Sequence, residues 1–556
     1  MLTGEERPVV LCSLGDGSVT EGEVSEAWQF AVLKQLPIIY LVQDNEWGIS
    51  VSSDEARAMD AYEYAAGFKG MERLRTDGSD FEESYHAMQT AIDYVRTERK
   101  PILVHAKVPL LGHHTSGVRK EWYRSPEDLA KHAQQDPFVR LHQRLVERGV
   151  KEDALADIQQ ETTKYISSQF EMARLADDPD TETVREHVFA PTPVTEERGV
   201  RSPRGGAKVV MVDAALHAIE EVMQQYPEAL LYGQDVGGRL GGVFREAATL
   251  ANKFGDKRVY NTAIQEAYII GSTVGLSAAG VKPIVEVQFA DYIYPGFNQL
   301  VCEISKSCYL TGGKFPIQTL IRVPIGAYGG GGPYHSGSVE TTLLSIKGIK
   351  IVYPSNAADM KGLMKAAFLD PNPVVMLEHK GLYWSKVPGT QDAMTIEPDA
   401  DYLLPLGKGA VVQEGDAMCI ITYGMGVYWA KAAAAKFPGK VEIIDLRTLF
   451  PLDEELVFAT VRKFGKCLVL TEEQLNNSFV QALAARIQQQ CFRWLDAPVY
   501  TFGALDLPAV PLNMELEKEM LPNAEKLAAL IAEILNYYFL KISFGFKEFA
   551  VIFALP

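Results

Sequence analysis

A short apolar run, a glycine turn, a helical stretch and a second apolar run follow one another near the start of the chain. Residues 8–14 are largely apolar, Gly15-Asp16-Gly17 interrupts them, and apolar side chains recur at helical spacing from Gly22. The second apolar run, residues 38–42, ends shortly before Asn45. This order predicts a β-α-β unit of parallel strands, in which ligands collect where the strands end.

The same alternation of strands and helices continues along the chain. Further strands are predicted at residues 101–108, 284–289, 317–323, 349–353, 418–422, 441–444 and 467–470. Ser125, followed by proline and two acidic residues, predicts a helix start, and Ser355-Asn356 predicts another, on a helix whose apolar side chains share one face. The predicted fold class is α/β, with three open doubly wound domains. They are placed at residues 1–185, 208–390 and 398–535, with a linker at 186–207 and an apolar tail at 536–556.

Composition limits the class of protein. A chain of 556 residues, 47% hydrophobic and 23% charged, is long enough for several cores. A net charge of −18 argues against a nucleic-acid or anionic-membrane partner. The six cysteines include no C-x-x-C pair, and no signal pattern begins the chain, so a reducing, cytoplasmic location is predicted. Lys541, Lys547 and Glu548 interrupt the apolar tail, which predicts a packed or poorly ordered segment over a membrane anchor.

The first candidate site combines the glycine turn with the end of the second strand. Asp16 offers a carboxylate, Asn45 an amide oxygen and Trp47 a backbone carbonyl, all of them hard oxygen ligands that suit Mg²⁺. Gly15, Gly17 and Ser18 would let phosphate oxygens approach the backbone beside a helix start. A lone G-D-G is more often an ordinary tight turn.

Two histidine-bearing loops are further candidates. His113 and His114 lie in a polar loop after the strand at residues 101–108, where they could exchange protons near neutrality. His335 follows a run of four glycines, Gly329 to Gly332, which would allow close approach to a substrate. The loop of His113 and His114 by itself is more often an ordinary surface loop.

Another candidate is Glu266, at the front of a helix rich in small residues. An acid at that place is most often explained by the helix dipole. Phe289, the last residue of the strand predicted at residues 284–289, would by itself be read as a core residue.

Taken together, these segments resemble a known family over residues 7–535. Residues 15–50 resemble, in order and spacing, the thiamine-diphosphate motif of the alpha subunit of pyruvate and branched-chain 2-oxo acid dehydrogenases. Residues 261–301, the Tyr-His-Ser sequence around His335, and residues 441–456 and 502–522 resemble the beta subunit. The chain is thus similar to a fused alpha–beta decarboxylase component with transketolase-like domains.

The resemblance implies a role for each candidate. Asp16, Asn45 and the carbonyl of Trp47 would bind Mg²⁺. His114, with His113 beside it, would lie near the cofactor diphosphate, and His114 and His335 would be catalytic. Glu266 would hydrogen-bond the aminopyrimidine N1′ of thiamine diphosphate and so promote its activation, and Phe289 would stack on the pyrimidine ring. Two features depart from the family: Asp44 stands where an asparagine is usual, and residues 476–479 stand where glycines are usual.

The implied reaction is oxidative decarboxylation of a 2-oxo acid, weakly favouring branched-chain acids, with acyl transfer to a lipoyl group on a partner acyltransferase. A homodimer of fused chains is expected, since the cofactor must bridge alpha-type and beta-type domains. The resemblance also implies that the alpha-type half lacks its N-terminal segment, which would leave an apolar sheet edge. Two alternatives remain: a transketolase-like or deoxyxylulose-phosphate-synthase-like enzyme, and a non-catalytic assembly subunit.

Overall fold

The computed structural model describes residues 8–328 and 330–537, and the backbone of residues 541–544 and 547–550. Gly329 of the glycine run and most of the apolar tail lie outside these residues, although Lys541–Phe544 and Lys547–Ala550 pair as antiparallel strands. The chain divides into two units, with the boundary between Thr181 and Glu182. No helix of the described part is long and apolar enough to cross a membrane.

Unit 1 contains one parallel sheet with helices on both faces. Its strands are β1 (Val10–Gly15), β2 (Ile38–Asp44), β3 (Trp47–Gly48), β4 (Val51–Ser52), β5 (Glu72–Asp77) and β6 (Ile102–Lys107). Its helices are α1 (Gly22–Lys34), α2 (Ser53–Ala56), α3 (Ala61–Tyr64), α4 (Phe81–Glu98), α5 (Pro126–Ala133), α6 (Pro137–Glu147) and α7 (Glu152–Arg174). The main sheet has the order β1-β2-β6-β5, and β3 pairs only with β4. The predicted β-α-β unit is therefore present.

The sheet of unit 1 separates two small cores. Trp28 of α1 is fully buried on one face, and Ala91 and Val95 of α4 are fully buried on the other. Strand β1 lies at the edge of the sheet, and Val10 and Leu11 are 55% and 54% exposed there. Ser125 caps α5 by accepting a hydrogen bond from the Asp128 amide at 3.2 Å, as its sequence predicts.

The first half of unit 2 is built on a seven-stranded sheet. Its elements are β7 (Lys208–Val209), α8 (Met211–Gln225), β8 (Ala229–Gly233), α9 (Leu250–Phe254), β9 (Val259–Asn261), α10 (Glu266–Ala278), β10 (Lys282–Glu286), α11 (Phe297–Gln299), α12 (Ser307–Leu310), β11 (Thr319–Ile325), α13 (Glu340–Leu344), β12 (Lys350–Val352), α14 (Ala357–Leu369), β13 (Pro373–His379) and β14 (Thr395–Ile396). The short strands β7 and β14 pair with each other.

The second half of unit 2 is built on a five-stranded sheet. Its elements are β15 (Ala410–Gln413), β16 (Met418–Thr422), α15 (Gly426–Ala434), β17 (Val441–Asp445), β18 (Thr448–Phe450), α16 (Glu454–Phe464), β19 (Cys467–Gln474), α17 (Phe479–Cys491), β20 (Tyr500–Ala504), α18 (Met514–Met520) and α19 (Ala524–Asn536), before the paired tail strands β21 (Lys541–Phe544) and β22 (Lys547–Ala550). The sheet order is β15-β17-β16-β19-β20.

The two halves of unit 2 share structure. Strand β18, although it belongs to the second half by sequence, pairs antiparallel with β12. The larger sheet therefore has the order β18-β12-β13-β11-β10-β8-β9. One continuous hydrophobic core contains side chains from both halves. The segment predicted as a linker belongs to unit 2 and packs within it, since Arg198 and Leu403 exchange backbone hydrogen bonds of 3.0 and 2.9 Å. The domain boundaries of the sequence analysis remain predictions.

Helix α14 departs from the expected one-sided pattern. Asn356 caps it as predicted, accepting from the Asp359 amide at 3.0 Å. Its residues from Ala357 to Phe368 are all buried, including Lys361 and Lys365. Both lysines pair with Glu221 of α8, at 2.6 and 2.7 Å, so the polar side of the helix is covered instead of solvated.

Candidate active site

Asp16 and Asp44 lie close together at the carboxyl edge of the sheet in unit 1, where Arg57 joins them. Arg57 donates from Nη1 to Asp16 Oδ2 at 3.0 Å and from Nη2 to both oxygens of Asp44, at 2.7 and 2.8 Å. Asp16 follows β1 and Asp44 ends β2, and these strands are parallel neighbours. The end-of-strand argument placed Asp16 correctly, whereas nothing in the local pattern identified Arg57.

The negative charge of Asp44 is balanced by three surrounding side chains. Besides Arg57, His105 Nε2 lies 2.8 Å and Lys107 Nζ 2.9 Å from Asp44 Oδ2. Burial by itself would raise the pKa of Asp44, but the hydrogen bonds from His105, Arg57 and Lys107 outweigh burial and hold that pKa far below its usual range. Side chains of unit 1 therefore stabilise the charge of Asp44 at the position where asparagine is usual. The sequence signal for these partners of Asp44 is the presence of two polar residues, His105 and Lys107, in the otherwise apolar strand β6.

The environment of Asp16 favours a cation. Burial, followed by repulsion from Asp44, raises the pKa of Asp16, and attraction to Arg57 only partly offsets them. Asp16 is 7% exposed, so a further positive charge beside it would act with little screening by solvent.

The turn after β2 carries the remaining predicted metal ligands. Asn45 Oδ1 accepts a hydrogen bond from the Trp47 amide at 3.0 Å, which fixes the turn. The Trp47 ring packs 5.8 Å from the Tyr123 ring and 5.4 Å from the Arg124 guanidinium. Carboxylate, amide and carbonyl oxygens remain a donor set that fits Mg²⁺ in kind. Among the described residues there is no cluster of three or more His, Cys, Asp or Glu side chains that could hold a metal.

The glycine turn leaves open space for a phosphate group. A side chain at Gly17 would meet nothing within 4 Å, and at Gly15 only Ser18 Oγ at 3.9 Å. Ser18 Oγ donates to the Gly15 carbonyl at 2.7 Å, which closes the turn. A short 3-10 turn, Gly17–Thr20, precedes α1, so the backbone amides nearest the turn belong to it and not to the longer helix.

The histidine pair of unit 1 is exposed. His113 Nδ1 accepts a hydrogen bond from the Lys120 amide at 3.2 Å. His114 makes no hydrogen bond or ion pair with Asp16, Asn45 or Trp47 in the described part of the chain. The structure thus groups Asp16 with Asp44 and leaves His114 in a separate, solvent-facing loop.

In unit 2, Phe289 and His335 come together beside Tyr292. The rings of Phe289 and His335 meet edge to face with centroids 4.6 Å apart, and the Tyr292 hydroxyl lies 2.9 Å from His335 Nε2. Phe289 follows β10, and the loop of His335 follows β11, so both lie at the carboxyl edge of the seven-stranded sheet. The sequence predicted both residues separately, and their contact is a finding of the structure.

Glu266 lies at the first position of α10, only 8% exposed. Gln234, just after β8, donates from Nε2 to Glu266 Oε1 at 3.0 Å. The side chain of Gln288, the residue before Phe289, donates in turn to the Gln234 carbonyl at 3.4 Å. Glu266 is therefore linked to the edge that carries Phe289, and Gln234 is a contact that sequence reasoning missed.

A buried acidic cluster lies behind this edge. Phe244 contacts both Phe289 and Tyr383, at 5.7 and 5.3 Å between ring centroids. Glu246 is fully buried, and neither of its carboxyl oxygens has a hydrogen-bond donor in the described structure. Burial, followed by repulsion from Glu246, raises the pKa of Glu286 well above its ordinary value. Burial and the neighbouring Glu246 therefore favour the protonated form of Glu286.

The raised pKa of Glu286 predicts a pH-dependent stability. The pKa of Glu286 is raised in the folded protein. The stability that Glu286 contributes is therefore fully present below its unfolded pKa of about 4.3, and it is lost as the pH rises through its folded pKa. The variant Glu246→Gln supplies a donor and removes the repulsion. It should be more stable than the wild type at pH 9 by about 1 to 3 kcal/mol, measured by denaturant unfolding at pH 5, 7 and 9. Glu228→Gln, a surface control, should keep the wild-type slope, and equal slopes for both variants would contradict the repulsion between Glu246 and Glu286.

Comparisons with known families match the chain in three segments. Residues 3–182 match the dehydrogenase E1 component family, residues 207–385 the transketolase pyrimidine-binding domain, and residues 407–527 the transketolase C-terminal domain. A solved structure titled as a split gene transketolase, inactive beta4 tetramer, aligns with a TM-score of 0.47 and 19% identity over 59% of this chain and 99% of that chain.

Three curated relatives are matched by this chain over most of their own length. The 2-oxoisovalerate dehydrogenase subunit beta of Bacillus subtilis is 37% identical over 59% of this chain and 98% of its own. The subunit of the same name from Pseudomonas aeruginosa is 38% identical over 54% and 88%, and the pyruvate dehydrogenase E1 component subunit beta of Acholeplasma laidlawii is 36% identical over 59% and 98%. The chain therefore belongs to the thiamine diphosphate-dependent 2-oxo acid dehydrogenase E1 family, with an alpha-type and a beta-type region joined in one polypeptide.

Proposed function

We propose that this chain catalyses the oxidative decarboxylation of a branched-chain 2-oxo acid and passes the acyl group to a lipoyl group on a partner acyltransferase. E1 components of this family work in a complex with an acyltransferase. The observation that supports the proposal most is the gathering of Glu266, Phe289 and His335 at one edge of the sheet in unit 2. The names of the relatives favour a branched-chain acid, with pyruvate as the second candidate.

The residues of unit 1 are proposed to hold the diphosphate and its metal. Asp16, Asn45 and the Trp47 carbonyl would bind Mg²⁺, and Gly15, Gly17 and Ser18 would leave room for phosphate oxygens. Arg57 is the cation available to pair with those oxygens once the metal neutralises Asp16. When bound, thiamine diphosphate supplies the nucleophilic carbon and the electron sink for loss of CO₂.

The residues of unit 2 are proposed to hold the pyrimidine and move protons. Glu266, fixed by Gln234, would hold a proton at N1′, and Phe289 would pack against the ring. Because the Tyr292 hydroxyl engages Nε2 of His335, Nδ1 is the nitrogen left for proton exchange with the substrate. His114 is proposed as the second histidine of the reaction. A cytoplasmic homodimer of fused chains is part of the same proposal.

Calorimetric titration of the purified full chain tests this assignment. We expect thiamine diphosphate to bind only with Mg²⁺, and Asp16→Ala to weaken binding by at least about 10-fold because it removes the charged ligand. Asp54→Ala, an exposed acid in α2, is the matched control and should bind as the wild type does. Ferricyanide-coupled turnover would then compare 3-methyl-2-oxobutanoate with pyruvate.

Each alternative gives a different result in the same experiment. A folded dimer that binds no cofactor would overturn the proposal and indicate a non-catalytic assembly subunit. Turnover of sugar-phosphate donors without any lipoyl acceptor would indicate a transketolase-like or deoxyxylulose-phosphate-synthase-like enzyme.

A further inference from the structure

The loop that carries His335 is closed at its base. Strand β11 ends at Ile325, and the Gly326 amide donates to the Gly337 carbonyl at 3.3 Å, so the loop leaves and returns at one point. The Gly337 amide also donates to Asp291 Oδ2 at 2.9 Å. Gly326 has a φ of +88°, and a side chain there would collide with the His379 ring. The backbone conformation of this base therefore requires glycine.

Lys380 holds the carbonyl at the start of the loop. Its Nζ donates to the Gly326 carbonyl at 2.5 Å and lies 5.7 Å from the centre of the Phe289 ring. Lys380 is only 8% exposed, and burial lowers its pKa to about 8 although Glu472 and Asp291 attract it. A buried ammonium group is costly unless it is paired, so its single carbonyl partner indicates a specific local requirement.

Glu472 holds the next backbone group. Its Oε1 accepts from the Ala327 amide at 2.5 Å, and its Oε2 lies 2.7 Å from His379 Nε2. His379 Nδ1 accepts from the Gly381 amide at 3.1 Å, so the ring proton is on Nε2 and is donated to Glu472. Glu472 belongs to β19 of the second half of unit 2, whereas His379 and Lys380 end and follow β13.

Two successive backbone groups, the Gly326 carbonyl and the Ala327 amide, are thus fixed by side chains from two other strands. The far end of the loop is fixed by Asp291, next to the Tyr292 that contacts His335. A shift at the base would move His335 relative to both Phe289 and Tyr292. Displacement of a reacting group by about 1 Å can cost about 100-fold in rate.

We infer that Lys380, His379 and Glu472 form a clamp that positions the His335 loop, and that through Glu472 the transketolase-like C-terminal half takes part in building the catalytic edge. These are positioning residues, since none of them is assigned contact with substrate or cofactor. The catalytic consequence rests on the proposed function, but the clamp itself is a property of the protein without any ligand.

Hydrogen–deuterium exchange of the full chain, read by mass spectrometry without added cofactor, tests the clamp directly. In Lys380→Met and Glu472→Leu, amides of residues 327–337 should exchange at least about 10-fold faster than in the wild type, since their anchoring bonds are lost. Glu472→Gln keeps an acceptor for Ala327 and should give a smaller change. Lys365→Met removes a buried lysine that pairs with Glu221 elsewhere in unit 2, and it should leave this loop unchanged.

The kinetic readout separates positioning from general destabilisation. In Glu472→Leu and Lys380→Met, kcat should fall by about 10- to 100-fold while KM and the cofactor Kd stay within about 2-fold of the wild type, and Glu472→Gln should lose less. Unchanged exchange of residues 327–337 in both Lys380→Met and Glu472→Leu would overturn the clamp. If the wild-type chain turned over no 2-oxo acid, the proposed function would fail, and the exchange result would still decide the clamp.

Discussion

Replacing Glu266 with glutamine should lower 2-oxo acid turnover by about 100-fold or more, because glutamine cannot carry the proton that the proposed chemistry requires at N1′. The substitution is nearly isosteric, and the amide can keep one hydrogen bond with Gln234. Stability should therefore change little. The measurement is ferricyanide-coupled turnover at saturating cofactor, with thiamine diphosphate affinity determined separately by titration.

Glu340 offers a matched control for this substitution. Like Glu266 it is a buried glutamate at the first position of a helix in unit 2, but it faces Glu473 and burial raises its pKa well above the ordinary range. Burial and repulsion from Glu473 therefore favour the neutral form of Glu340, and Glu340→Gln should retain wild-type turnover. Equal losses in the two variants would show that helix packing, and not the acid at residue 266, limits the reaction.

Local patterns predicted the elements that carry the site. The alternation of apolar runs with helical stretches predicted β1, α1 and β2 in order, and Ser125 and Asn356 cap the helices that their sequences indicated. The rule that ligands gather where parallel strands end placed Asp16 at the edge of its sheet, which the structure confirms. Such features depend on residues close together in the chain.

Contacts between distant residues could not be predicted in this way. Arg57 reaches Asp16 across 41 positions, and Glu472 reaches His379 across 93. The spacing of apolar residues along the chain does not show that β18 pairs within the larger sheet, nor that the polar side of α14 is covered. Resemblance predicted the functional residues, whereas the side chains that contact them became visible only in three dimensions.

Replacing Arg322 with methionine should destabilise the protein more than any surface substitution. Arg322 is fully buried, donates to both oxygens of Glu378 at 2.8 Å and to Glu286 Oε2 at 3.0 Å. The Tyr383 hydroxyl, which donates to Glu378 at 2.8 Å, is the remaining donor to that carboxylate. Loss of the guanidinium leaves buried negative charges without a counter-charge, which should cost about 3 to 5 kcal/mol in the free energy of unfolding.

The loss of stability in Arg322→Met should depend on pH and on the charges of Glu286 and Glu378. Burial already raises the pKa of Glu286, and removing a neighbouring cation raises it further, so the defect should be smaller at pH 5.5 than at pH 8. Combining Arg322→Met with Glu286→Gln and Glu378→Gln should recover part of the stability, since neutral partners no longer need the cation. Arg140→Met, which removes a partly exposed pair with Asp77, should cost at most about 1 kcal/mol. Denaturant unfolding at both pH values measures the free energy of unfolding of the wild type, Arg322→Met, the triple variant and Arg140→Met. A triple variant no more stable than Arg322→Met alone would show that Arg322 acts by packing and not by charge.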